Sequence, residues 1–136
     1  MRREGQNVAL LAFGSTLQTA LEAAQQLNAT VINMRFVKPL DDDIVLQMVA
    51  EHELLVTIED NTIMGGAGSA VNECLAAHNI IHPILNLGLA DVFGDQGSRE
   101  ELLSDYHLDV NGIIDAVGNY FQHQSCQTSK VRLNSY

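Results

Sequence analysis

Three groups of residues in this chain have types and spacings that chemistry uses. The first is residues 54–78, "LLVTIEDNTIMGGAGSAVNECLAAH", where an apolar run enters three glycines and then a helical pattern. Phosphate-binding loops are built this way, because free backbone N–H groups at a helix start attract an anion. The second is the acid run Asp41-Asp42-Asp43, whose carboxylates could make one corner of a divalent-metal site. The third is a scatter of nucleophiles and ligands: Ser15, Ser69, Cys74, Cys126 and five histidines.

Each group also has a plainer reading. A dinucleotide fingerprint requires G-x-G-x-x-G or A directly after a strand. Here the sixth place after Gly66-x-Gly68 is Val71, and no lysine stands nearby to complete a P-loop. Glu59 and Asp60 are placed at the mouth of the loop, where they would repel a phosphate. The glycines read better as backbone devices: Gly65 and Gly66 supply positive φ or a close approach, and Gly68 lets the helix start pack near the sheet. The run Asp41–Asp43 follows Pro39 at a helix start, where acids cap free N–H groups and offset the helix dipole. His52, His78, His82, His107 and His123 contain no H-E-x-x-H and read as surface or loop positions. No G-x-S-x-G is present, so Ser15 and Ser69 read as helix starts. Cys74 and Cys126 lack metal or redox spacing and read as unpaired thiols of a reducing compartment, with Cys74 buried on a helix. The sequence therefore assigns no catalytic, cofactor-binding or metal-binding residue within these 136 positions.

Charge excludes further classes. Seven basic against seventeen acidic residues leave a net charge of −10. Arg2, Arg3, Lys130 and Arg132 are terminal, and only Arg35, Lys38 and Arg99 remain in the central chain. Nucleic-acid binding needs clustered cations to release counterions, so it is excluded. A pyrophosphate site is disfavoured unless a metal or another chain helps. No apolar run reaches the ~20 residues of a membrane span, and the N-terminus shows no secretory signal.

The elements that must position these residues alternate between strand and helix. Residues 7–13, "NVALLAF", are continuously apolar, as in a strand buried on both faces. Ser15 is placed to N-cap "TLQTALEAAQQL", whose Leu17, Ala20, Leu21, Ala24 and Leu27 form an apolar stripe. A second strand, "ATVINMRF", stops at the Lys38-Pro39 turn, followed by a helix "DDDIVLQMVAEH" and a third strand "LLVTIED". A helix from Gly66 or Ser69 to His78, a fourth strand "HPILNLGL" and two closing helices, "SREELLSDY" and "DVNGIIDAVGNYF", complete the pattern. This predicts a three-layer α/β/α sandwich over residues 1–122, mainly parallel, with strand order 2-1-3-4. Residues 123–136 are polar and aperiodic, which predicts a flexible C-terminal tail.

"MRFVKPLDDDIV" (34–45), "VTIEDNTIMGGAGSAVNE" (56–73) and "LNLGLADVFGDQGSREELLSDYHLDVNGI" (85–113) together resemble the C-terminal domain of the 1-deoxy-D-xylulose-5-phosphate synthases, a transketolase-type domain. The first two stretches are shared with transketolases and with the β chains of 2-oxoacid dehydrogenases. The third, with Asp91, Phe93, Gln96-Gly97, Glu101-Leu102-Leu103, Leu108-Asp109 and Gly112-Ile113, resembles the synthases. Gln96 and Ala90 depart from the His and Pro that many members carry.

The resemblance implies a cytoplasmic enzyme several times longer, a homodimer using thiamine diphosphate and Mg²⁺ to join a two-carbon unit from pyruvate to glyceraldehyde 3-phosphate for isoprenoid and thiamine precursors. The catalytic sites of that family lie in upstream domains, so this chain alone is expected to be inactive, with a structural, interdomain role. It also implies an antiparallel strand pairing with residues 30–35, of which only "MRREG" remains here; that edge is expected to be capped by the stub or to lie in a contact with another chain. Two alternatives stay open: the C-terminal domain of another thiamine enzyme, or a free-standing module binding a small cationic or metal ligand in an acidic crevice.

Overall fold

A computed structural model describes residues 1–89 and 106–133, with side chains through Cys126. Its described elements are β1 (Val8–Ala12), a 3-10 turn (Gly14–Thr16), α1 (Leu17–Leu27), β2 (Thr30–Asn33), α2 (Asp42–Glu51), β3 (Leu54–Thr62), α3 (Ala67–Ala77), β4 (Ile84–Leu89) and α4 (Val110–Leu133). All three strand pairings are parallel and the order is β2-β1-β3-β4, as the apolar runs predict. The helix expected over "SREELLSDY" falls mainly outside the described residues.

Strand parity divides the core. Successive side chains of a strand face opposite ways. Val8, Leu10, Ala12, Leu54, Val56 and Ile58 therefore meet α1 and α4, through Ala20, Ala24, Ile113 and Val117. Ala9, Leu11, Phe13 and Leu55 meet α2 and α3, through Val45, Met48, Val71 and Leu75. Leu10 and Leu11 are fully buried on opposite faces, and each contributes about 2 kcal/mol relative to exposure. The sheet is covered on both sides, which is why its strands are continuously apolar.

The outer edge of β2 is occupied by the chain's own N-terminal segment. Arg3 forms an antiparallel bridge to Val31, with Arg2 N–H donating to Val31 O at 2.8 Å and Val31 N–H to Arg3 O at 2.9 Å. The Arg3 guanidinium donates to Ala29 O and Asn28 Oδ1. Gly5 N–H donates to Thr30 Oγ1, whose hydroxyl donates to His52 Nε2 at 2.7 Å. The other His52 nitrogen faces Met48 O, a carbonyl, so Nδ1 carries the proton. The stub thus caps the edge and is tied through Thr30 and His52 to the end of α2.

Two local expectations change. Ser15 does not cap α1: a 3-10 turn intervenes, Thr16 occupies the N-cap without a side-chain cap bond, and its hydroxyl is shared between Phe13 O and Ile58 O. Helical backbone also continues past Phe121 to Leu133, where the polar composition predicts loss of regular structure. Side chains 122–126 are all exposed, so that part of the helix lies beyond the core, and the sequence past Phe121 lacks the apolar stripe used to detect helices.

Candidate functional site

The glycine loop lies at the carboxyl end of β3, where ligands of open parallel sheets usually bind. Its anion site is filled from within. Glu59 is 1% exposed; its Oε2 accepts from Ala67 N–H at 2.7 Å and its Oε1 from Gly68 N–H at 3.0 Å. The neighbouring amides are also engaged, Gly66 N–H with Ile63 O and Ser69 N–H with Gly66 O. All four amides that could hold a phosphate at this helix start are used. The sequence placed Glu59 at the loop mouth as a repelling charge; the structure puts it inside as the anion itself. Period-two alternation explains this, since Glu59 shares the α3 face with Leu55 and Thr57, whereas Asp60 turns to the other face.

The glycines fit around that carboxylate. A Cβ at Gly66 would fall on Glu59 Oε2 and on Thr62 O. One at Gly68 would come within 2.6 Å of Thr57 Oγ1 and 2.8 Å of Asn86 Oδ1, atoms already bonded to each other at 2.7 Å. Gly65 has φ +70° and open space around it, so it supplies conformation rather than room. The close approach expected of this loop is therefore real and serves Glu59. The helix start therefore carries a carboxylate of its own, which disfavours a second anion there.

Asp60, at the crevice mouth, accepts from the Ser15 hydroxyl at 2.5 Å. Asp41 caps α2 by accepting from Ile44 N–H at 3.2 Å, with Asp42 and Asp43 in the first turn. Both roles use the carboxylates for backbone or local bonds. Among the described residues, no group of three or more His, Cys, Asp or Glu side chains could hold a metal ion. His78 and His82 stand four positions apart, but α3 ends at Ala77, so they do not share a helix face. Burial, with His52 nearby, lowers the His82 pKa, and its Nε2 has no hydrogen-bond partner among the described residues.

Cys74 is buried and Cys126 exposed. Burial pushes the Cys74 thiol up to about 11, helped by its hydrogen bond to Asp42 and the charge of that carboxylate. At pH 8 its thiolate fraction is on the order of 10⁻³, and the thiolate is the nucleophile. With an aromatic disulfide reagent at pH 8, one thiol per chain is expected to react quickly and Cys74 at least ~100-fold more slowly until the protein unfolds. Equal rates in the folded protein would show that Cys74 is reached by solvent.

Residues 1–113 match the family model described as transketolase, C-terminal domain. A 1-deoxy-D-xylulose-5-phosphate synthase of Nitrosococcus oceani is 58% identical over 120 residues, covering 88% of this chain and 19% of that protein. One of Nitrosospira multiformis is 62% identical over 117 residues, again covering 19% of its length. The chain thus spans about a fifth of the curated relatives it matches. A split-gene transketolase, solved as an inactive β4 tetramer, superposes with a TM-score of 0.79 at 33% identity, over 86% of this chain and 40% of that one. No helix among the described residues is long and apolar enough to cross a membrane. The parallel 2-1-3-4 sheet and the match over residues 1–113 agree: this chain belongs to the transketolase C-terminal domain family.

Proposed function

We propose that the chain is the C-terminal domain of a 1-deoxy-D-xylulose-5-phosphate synthase, with a structural and interdomain role and no catalysis of its own. The observation that carries this reading is the 58–62% identity to synthases of which the chain matches only 19%. The whole enzyme, on this reading, is a cytoplasmic homodimer that condenses pyruvate with glyceraldehyde 3-phosphate, releasing CO₂, and serves isoprenoid and thiamine precursor synthesis. Thiamine diphosphate with Mg²⁺ supplies the carbon–carbon chemistry from upstream domains. The contribution of this chain is a rigid sheet whose loop after β3 is closed by its own carboxylate.

The test is a chimera in which this chain replaces the matching C-terminal segment of the Nitrosococcus oceani synthase. The chimera is expected to form 1-deoxy-D-xylulose 5-phosphate within about tenfold of the parent rate, an activation difference of about 1.4 kcal/mol or less. The isolated chain is expected to show no turnover and no calorimetric binding of thiamine diphosphate with Mg²⁺. A folded but inactive chimera, or tight cofactor binding by the isolated chain, would overturn the reading.

A further inference from the structure

The sequence contains a single Asn-Gly pair, Asn111-Gly112. Such a pair is prone to spontaneous chemistry, because glycine has no side chain to hinder attack by its own backbone nitrogen. The structure places it in the first turn of α4, which begins at Val110. Asn111 is exposed, and among the described residues no hydrogen bond holds its side-chain amide. Gly112 is buried, and its N–H donates to Asp109 Oδ1 at 2.8 Å. Ile113 N–H donates to Asp109 O at 3.1 Å, so Asp109 is the N-cap of the helix, with its carboxylate on the third helical N–H. Space requires the glycine: a Cβ there would fall on the His107 carbonyl, where the chain turns through φ +56°. Packing thus fixes the glycine half of a reactive pair, and the cap holds the nitrogen that would react.

We infer that Asn111 is a latent site of spontaneous deamidation, and that the Asp109 cap is the guard that keeps it intact in the folded domain. In the reaction the Gly112 backbone nitrogen gives up its proton and bonds to Asn111 Cγ. The Cγ–Nδ2 bond breaks, ammonia leaves with that proton, and a five-membered succinimide remains. Water then opens either carbonyl of the ring, leaving aspartate or isoaspartate at position 111, with no oxidation or reduction. Two features of the folded helix start oppose the first step. A carboxylate holds the Gly112 proton, and charge-assisted hydrogen bonds are the stronger ones. Ring closure also needs Asn111 to exchange the helical ψ of about −42° for an extended one. The reaction therefore waits on opening of this turn. Isoaspartate inserts a methylene into the backbone between the cap and Gly112, so the Asp109 bond and the fit against His107 are lost together. Ile113 and Val117, which this helix start places in the core, lose their anchor. A chain that has spent time unfolded carries a covalent record of it.

The experiment incubates the chain at mildly alkaline pH, folded and in urea, and follows residue 111 by peptide mass spectrometry. Asn111 is expected to convert at least ~30-fold more slowly in the folded chain than in urea, because of the opening requirement. Asp109→Ala, shown to be folded by circular dichroism, should convert about fivefold faster than the folded parent, the factor that loss of an N-cap adds to opening. A second measurement needs no variant: the Gly112 amide of the folded parent should be protected from hydrogen exchange by about the same factor as Asn111 is from deamidation. A parent that converts as fast folded as in urea, or that does not convert in urea, would overturn the inference. So would a folded Asp109→Ala chain no faster than the parent, or a Gly112 amide that exchanges freely while Asn111 stays intact.

Discussion

Replacing Glu59 with alanine is expected to lower the stability of the isolated domain by about 3 kcal/mol, read from urea or thermal unfolding. The change leaves Ala67 N–H and Gly68 N–H, both in buried residues, without an acceptor. Each orphaned donor costs about 1–3 kcal/mol, and the favourable meeting of a carboxylate with a helix N-terminus is lost as well. Removing a buried charge returns part of this, which is why the expected sum is not larger. Glu59→Gln separates the contributions. The amide keeps the shape and one acceptor oxygen, but its NH₂ opposes one of the two N–H groups, so it should recover no more than about half of the loss. A Glu59→Ala protein within about 0.5 kcal/mol of the parent would mean that water replaces the carboxylate at no cost, and that the loop is not organised around it.

The second large effect is expected at Gly66. An alanine methyl there would land on Glu59 Oε2 and Thr62 O. The carboxylate is held by two N–H groups and the carbonyl is backbone, so neither can move without breaking other bonds. A cost of about 3 kcal/mol or more is expected. Gly68→Ala should cost less, about 1–2 kcal/mol, because the atoms it meets belong to the Thr57 and Asn86 side chains, which can shift. Gly65→Ala should cost about 1 kcal/mol, from its positive φ alone. The order of melting temperatures, with Gly66→Ala lowest, is the check. Equal losses at all three positions would mean that conformation and not room sets the glycines, and the carboxylate-centred account would fail.

Most of the architecture is legible in the sequence because buried parallel strands leave a coarse signal. "VALLA" and "LLVTI" are apolar without alternation, and such runs need helices on both faces. Alternation of strands with helical patterns then leaves few topologies. The charge at the loop is harder to read, since a glutamate at a strand end looks like a solvated rim. Strand parity carried the missing signal: counting by two from Leu55 reaches Glu59 on the α3 face, directly under a helix start. Ser15 and Thr16 are both capping types in adjacent positions, and sequence reasoning has no means to choose between them when a 3-10 turn comes first. The turns of α4 beyond Phe121 contain Gln, Lys and Arg, which favour helix intrinsically, but the periodic apolar face that makes a helix visible is missing.

The two halves of α4 have different thermodynamic status. From Val110 to Phe121 the helix is held by the core, through Ile113, Val117 and Phe121. The twelve residues from Gln122 to Leu133 extend about 18 Å further at 1.5 Å per residue, and side chains 122–126 are exposed. A helix segment of this length is marginal in water without tertiary support. The folded half serves as its nucleus, so the initiation step that isolated peptides find costly is already made. Each added turn of solvated helix gains or loses a fraction of a kcal/mol according to residue propensity. The projecting half therefore behaves as a helix–coil system seeded by a globular domain: it shortens from its free end gradually on warming, while the sheet and its covering helices melt as a unit.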